Sequence, residues 1–386
     1  MGWCKPGYEC LYNIYIMEEV HTILSAGAGG STKLVAPGAR HGKIERIFNY
    51  KYPTEYIDRF DTILARKEGV KQFYDQYPNC GESARPKRMV GCELLNLAAH
   101  NPADLVQLSE QQYQSRIDAA AAYVLASGRR IVMLTGPSAA GKTTSANKLP
   151  PPCAARRAQP GIEPGRLFVG EGRYPKQPDG RDDYECVEAL DIPLVQHCLQ
   201  QLAQTGVCDA PIFDFMTQLP APQTQHIDCT DGVVVVEGLH AFNPILTETL
   251  PQDAVLNIYA SLREEYAGPD GARLIATRDV RLARRITRDW RFRGHDADFT
   301  IGLWPHVCKA EDQYIKTFKN RANLVLDTSF SCEVGIWEYY IDQLTASANA
   351  GRMADLRSRF AHFVPINAAL IPQKSMLREF IGAENQ

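Results

Sequence analysis

The sequence predicts an α/β fold, a mostly parallel sheet covered by helices on both faces, with a small mixed segment ahead of it. Four short apolar runs, RRIVMLTG, GVVVVEG, AVLNIYA and NLVLDT, are separated by helical stretches. Runs of Val, Ile and Leu without alternation suit strands buried on both faces, and their alternation with helices suits parallel pairing. The length of 386 residues exceeds one ordinary core, which predicts a second, smaller unit. Hydrophobic residues at 45% and charged residues at 23% are globular values and exclude disordered, collagenous and membrane classes. No apolar run approaches the roughly 20 residues needed to cross a bilayer.

The formal net charge of −3 excludes a surface built to wrap a polyanion, so no nucleic-acid partner is expected, although local basic clusters still suit phosphates. The 11 cysteines are scattered, none forms a CxxC pair, and Cys4 and Cys10 are too far apart for a zinc knuckle. The first residues lack a basic-apolar leader, and the expectation is a cytoplasmic chain with reduced thiols and no membrane partner.

Within residues 1–80, YNIYIMEEV reads as apolar and β-rich, HTILSAGAGGSTKL as a strand leading into a glycine turn, and EYIDRFDTILARKEGVKQFYDQY as helical. PNCGESARPKR follows as a polar linker, and residues 81–128 form a linker and helical lead-in. There AHNPAD interrupts the helix, with Asn101 predicted to cap the next one and Pro102 at its first position. The main domain is expected over 129–345 and a C-terminal tail over 346–386.

RRIVMLT runs directly into GPSAAGKTT, which satisfies G-x-x-x-x-G-K-[ST] with Gly136, Gly141, Lys142 and Thr143. Small residues let backbone N–H groups of Gly136, Pro137, Ser138, Ala139, Ala140, Gly141, Lys142, Thr143 and Thr144 (proline excepted) cradle phosphate oxygens, and the following helix adds its dipole. The three-layer P-loop NTPase fold is therefore the expected architecture, with ATP and Mg²⁺ as ligands. Lys142 is expected to reach the outer phosphates and Thr143 to ligate Mg²⁺. Glu237 ends the VVVV strand at the carboxyl edge of the sheet and is the second expected Mg²⁺ ligand. The earlier GAGGSTK lacks the loop spacing and reads as a tight turn.

DVRLARRITRDWRFRG places Arg281, Arg284, Arg285 and Arg288 on one helical face, with Arg291 and Arg293 beyond. Like charges so spaced repel, so an anion is the expected compensator and a closing basic lid the expected role. No NKxD or LSGGQ signature is present.

In combination, GPSAAGKTT, DYECVEALDIPLV, PIFDF, VVVVEGLHAFNP and DVRLARRITRDWRFRG resemble the uridine kinase and phosphoribulokinase family over about 129–345. The resemblance implies that Glu185 contacts acceptor sugar hydroxyls, that Phe213 and Asp214 lie by the base, and that Arg285, Arg288 and Arg293 are lid arginines. Family members usually carry Tyr at the Phe213 position and His at the Gln218 position, so the base-reading pair is changed. Residues 1–80 resemble the C-terminal portion of a radical SAM coproporphyrinogen oxidase-like protein, without that family's CxxxCxxC.

The family also places an aspartate after the P-loop helix to take the acceptor proton; here Gly165 and Arg166 stand in its place, after a Pro-rich PPPCAARRAQPGIEP. Glu163 to Phe168 can be encoded GAG CCT GGA CGA CTT TTT, which read from its second base gives Ser-Leu-Asp-Asp-Phe, so codon degeneracy allows a frameshift as the explanation, with a genuine divergent loop as the alternative. The sequence thus supports an ATP-dependent kinase acting on a hydroxyl of a nucleoside-like small molecule, impaired by loss of that aspartate. Its alternatives are a non-catalytic ATP-binding protein and a tetrapyrrole-pathway accessory module, and a homo-oligomer is compatible with all three.

Overall fold

The computed structural model describes residues 22–35, 44–76, 87–149, 169–170, 172–176, 180, 183, 186–214, 219–230, 232–251, 253–345 and 351–383. The chain divides into two compact units, 1–86 with 319–323, and 87–318 with 324–386.

In the first unit β1 (Ser31–Val35) pairs antiparallel with β2 (Ile44–Phe48), Ser31 opposite Phe48 and Val35 opposite Ile44. Helices α1 (Pro53–Asp58) and α2 (Phe60–Gln76) follow, and Leu34 with Phe73 forms a small core against Ile47 and Val70. GAGGSTK is a turn. Gly27 and Gly29 take φ of +90° and +72°, and a Cβ on Gly30 would stand 2.9 Å from Ser25 Oγ. The strand expected ahead of this turn lies after it instead, as β1. Among the described residues Ile23 makes an isolated antiparallel bridge with Lys33 across the glycine turn. YNIYIMEEV lies outside the described residues.

The second unit is built on a four-stranded parallel sheet. Its strands are β4 (Ile131–Thr135), β7 (Val234–Glu237), β8 (Val255–Ser261) and β11 (Leu324–Asp327), in the order β11-β8-β4-β7. These are the four apolar runs of the sequence, and the α/β prediction holds. Every residue of β4 and β8 is buried, as strands covered on both faces must be.

β3 (Arg88–Gly91), α3 (Cys92–Ala98) and α4 (Pro102–Ala126) precede the sheet. β3 pairs parallel with β9 (Glu264–Ala267), and β10 (Arg273–Ile275) completes a three-stranded sheet. Asn101 occupies the N-cap position of α4 with Pro102 in its first turn, but no side-chain cap bond forms. Its amide donates to the Asp104 carboxylate instead. At the sheet edge Asp327 receives Arg116 at 2.8 Å and Arg88 at 2.6 Å. Burial alone would raise the Asp327 carboxyl, but these two guanidiniums hold it below its ordinary value.

After the P-loop helix α5 (Lys142–Lys148) come α6 (Ile192–Thr205) and the antiparallel pair β5 (Val207–Asp214) and β6 (Leu219–Asp228). Asp191 caps α6 by accepting from Leu194 N. Short α7 (Pro244–Thr247) follows β7. The arginine helix α8 (Thr277–Phe292) and α9 (Ala297–Ala310) lie between β10 and β11. The chain ends in α10 (Glu333–Thr345), α11 (Gly351–Phe360) and α12 (Arg378–Ile381). Met353, Leu356, Phe360, Met376, Leu377, Phe380 and Ile381 of this last stretch lie in the same core as β4 and β8. Among the described residues no helix is long and apolar enough to cross a membrane.

Candidate functional site

Gly136 follows β4, and a Cβ there would stand 2.2 Å from the Ala260 carbonyl of β8, so only glycine fits. The chain then turns through Ala139 at φ +59° and Gly141 at φ +75° into α5. Arg281 Nη1 donates to the Ser138 carbonyl at 3.0 Å and Arg284 Nη1 to the Ala139 carbonyl at 3.2 Å. In a trans peptide the C=O and N–H point opposite ways, so the N–H groups of Ala139 and Ala140 are directed away from those guanidiniums. The Ala140 N–H also reaches the Pro137 carbonyl, at 3.2 Å.

At the head of α5, Lys142 Nζ donates to the Pro137 carbonyl at 3.2 Å. Burial pushes its ammonium below the usual lysine value, with Glu237 and Glu379 opposing and Arg281 and Arg288 adding to the fall. Thr143 Oγ1 donates to Glu237 Oε1 at 2.8 Å, so the two sequence-predicted metal ligands stand side by side. One hydroxyl and one carboxylate are hard oxygen donors that fit Mg²⁺ when phosphates and waters complete its shell. No cluster of three or more His, Cys, Asp or Glu able to hold a metal occurs among the described residues. Thr144, the last predicted loop residue, gives both N–H and hydroxyl to Glu379 Oε2, at 3.3 and 2.7 Å.

The arginine helix contributes two kinds of side chain. Arg281 and Arg284 are buried and find their compensating anions inside the protein, Glu311 at 2.7 Å and Glu333 at 2.7 Å. The sequence expectation of a ligand anion for these two is thereby corrected: buried carboxylates already neutralise them. Burial would raise Glu311, but Arg281 and Lys316 bring it below its ordinary value. Arg285 and Arg288 instead line a cavity with Ser138 to Thr143 of the loop, Leu239 and Tyr314. Arg285 Nη1 donates to Ser138 Oγ at 2.8 Å, and Arg288 pairs with Asp289 at 2.8 Å.

Arg293 caps the C-terminal end of α8, half exposed and 3.5 Å from Asp289. Burial, then Arg288, lowers its guanidinium from the ordinary value. Phe213 and Asp214 lie on β5 opposite Pro220 and Leu219 of β6. Glu185, Gly165, Arg166 and Gln218 lie outside the described residues. The cavity thus gathers Lys142, Thr143, Arg285 and Arg288. It also includes two acidic residues that sequence reasoning did not single out, Glu311 and Glu379. Neither sits in a spacing motif, and only the third dimension brings them to the loop.

Comparison with known proteins matches both segments. Residues 175–263 match the model of the Phosphoribulokinase / Uridine kinase family. The uridine kinase of Ureaplasma parvum serovar 3 is 24% identical over 195 residues, which is 50% of this chain and 86% of that one. A solved structure of a possible uridine kinase from Bacillus stearothermophilus, 19% identical, covers 56% of this chain and 100% of that one with a TM-score of 0.36. The oxygen-independent coproporphyrinogen-III oxidase-like protein HemZ of Bacillus subtilis is 43% identical over 67 residues, 17% of this chain. The chain spans 13% of the length of that relative. The two resemblances drawn from the sequence therefore stand: a uridine kinase-like segment, preceded by a segment like part of a coproporphyrinogen oxidase-like protein.

Proposed function

We propose that this uridine kinase-like segment binds ATP with Mg²⁺ and transfers the γ-phosphoryl group to a hydroxyl of a nucleoside-like small molecule. The observation that carries the reading is the 2.8 Å contact between Thr143 Oγ1 and Glu237 Oε1 at the mouth of a glycine-built cradle. Phosphoryl transfer breaks the bond from the γ-phosphorus to its bridging oxygen and forms one to the acceptor oxygen, whose proton leaves to a base. Catalysis of such a step is mainly positioning and charge stabilisation.

Lys142, with its partly desolvated ammonium, meets the outer phosphates. Arg285, held on Ser138, and Arg288 face the same space and balance charge spread over the transferring group. Thr143 and Glu237 hold Mg²⁺, which when bound neutralises phosphate charge. Glu185, Phe213, Asp214 and Arg293 are assigned to the acceptor side on the family resemblance. The cytoplasm is the proposed compartment.

A second reading, an ATP-binding protein without turnover, is favoured by Gly165 and Arg166 standing where the family has its aspartate. Loss of a general base typically costs about 10²–10⁴-fold. A third, a tetrapyrrole-pathway role for residues 1–80, rests on the segment resemblance and is tested by porphyrin binding. ATP turnover with and without added nucleosides separates the first two.

For the site itself, Lys142→Ala should weaken Mg-ATP binding at least about tenfold, the size of one charge-assisted hydrogen bond. Because burial lowers Lys142, wild-type affinity should fall as pH rises through that depressed value, where the ammonium is lost, and Lys142→Ala should flatten the profile. Unchanged affinity in a calorimetric titration of the variant would remove the assignment.

A further inference from the structure

The last described stretch of the chain reaches the P-loop. Met376, Leu377, Phe380 and Ile381 are all at most 1% exposed. Phe380 meets Trp337 edge to face with centroids 6.4 Å apart, and the Arg284 guanidinium lies 5.2 Å over the Phe380 ring. Met376 Sδ stands 2.5 Å from where a Cβ on Gly141 would be. This packing sets Glu379 against the start of the P-loop helix, where its Oε2 accepts from Thr144 N at 3.3 Å and from Thr144 Oγ1 at 2.7 Å.

Those two donors are of the kind that a P-loop offers to a nucleotide phosphate: a backbone N–H in the first turn of the helix and a neighbouring hydroxyl. A hydroxyl has one proton to give. A carboxylate and a phosphate oxygen cannot both accept it, and two anions at hydrogen-bonding distance from one donor repel. Glu379 therefore holds the position of an inner phosphate.

Resting on the nucleotide-site reading above, we propose that the C-terminal segment is a self-competing element of this protein. The Glu379 carboxylate occupies an inner-phosphate subsite at Thr144, and nucleotide must displace it to bind. The same cavity that Glu379 lines is also lined by Lys142, Arg285 and Arg288, cations that fit a phosphate. The hydrophobic anchors on either side, Met376 and Phe380, keep the segment docked while the side chain swings away. The device is a charge swap, and its strength is set by one carboxylate.

Calorimetric titration of the full chain with Mg-ATP, and separately with adenosine, tests this. Glu379→Gln keeps the shape and packing of the side chain and removes its charge. Glu379→Ala removes the side chain, and its melting curve reports whether the tail stays folded. Both variants should bind Mg-ATP more tightly than the natural chain: Glu379→Ala by about tenfold, the worth of one charge-assisted hydrogen bond no longer to be broken, and Glu379→Gln by less, because its neutral amide oxygen still accepts from Thr144 but more weakly and without repelling phosphate; adenosine should bind equally to all three. Unchanged or weaker Mg-ATP binding by Glu379→Gln overturns the proposal and makes Glu379 a structural cap or a site residue. Lys142→Ala, run alongside, separates the two ideas. If it binds as well as the natural chain the nucleotide reading itself fails, whereas a loss there with no gain at Glu379→Gln rejects only the self-competition.

Discussion

Glu110 illustrates how a single buried carboxyl couples the tail to pH. It lies on the long lead-in helix, where burial raises its pKa while a hydrogen bond from Ser375 and the charge of Lys148 lower it. Its Oε1 is buried with no hydrogen-bond partner among the described residues. A carboxyl whose folded pKa lies above its unfolded one contributes stability that is full below the unfolded value, near pH 4, and is lost as pH rises through the folded value. Glu110→Gln, neutral at every pH, should therefore melt about 2 °C higher than the natural chain at pH 8 and show no such advantage at pH 4. Equal melting differences at the two pH values would mean that burial does not govern this group. Residues differ in how far sequence announces them. Lys142, Thr143 and Glu237 were legible because a fixed spacing and a strand end place them. Glu379 was not, since it meets Thr144 across 235 positions of chain.

The arginine helix shows the same contrast within one element. Its i, i+3, i+4 and i+7 arginines were visible in the sequence, but their division into two roles depends on what packs against each. Arg284 is fully buried, forked onto Glu333 at 2.7 and 2.9 Å, and bonded to the Thr328 carbonyl at 2.9 Å. Arg284→Ala leaves Glu333 buried without its partner and should cost about 3–5 kcal/mol of stability. Arg288→Ala, four residues on and facing the cavity, should cost less than about 1 kcal/mol and act instead on Mg-ATP turnover or affinity. Chemical denaturation of the two variants reads the difference, and similar losses in both would erase the distinction. The four strands of the main sheet were legible because burial on both faces demands unbroken Val, Ile and Leu. The β5–β6 pair was not, since Pro211, Pro220 and Pro222 argue against strands. A two-stranded pair tolerates them because each strand has an outer side with no strand beside it among the described residues. Glu264 and Glu265 of β9 are both buried, one against Arg88 and the other against Lys87 and Arg273, partners no sequence spacing announces.

At the scale of the whole molecule, positioning and charge balance come from elements far apart in the chain. β4 presents the cradle, β7 presents Glu237, α8 presents Arg285 and Arg288, and the tail closes on Thr144. On the proposed function, the role these elements leave to be assigned is that of the group that takes the acceptor proton. The family resemblance locates that role at Gly165 and Arg166, within a stretch outside the described residues, where codon degeneracy allows a frameshift as the explanation. On the proposed function, a protein carrying Gly165→Asp and Arg166→Asp, with a helix-forming sequence substituted for residues 150–162, should phosphorylate a nucleoside about 10²-fold or more faster than the natural chain. Mg-ATP affinity should change little, because the cradle, Lys142 and Glu237 are untouched, so the gain should appear in kcat. Sequencing the gene provides the independent check: a nucleotide gained or lost on each side of 150–167, including the T-run at Phe168, is the expected result. Confirmed codons together with full nucleoside kinase activity in the natural chain would show that another carboxylate already serves as the base.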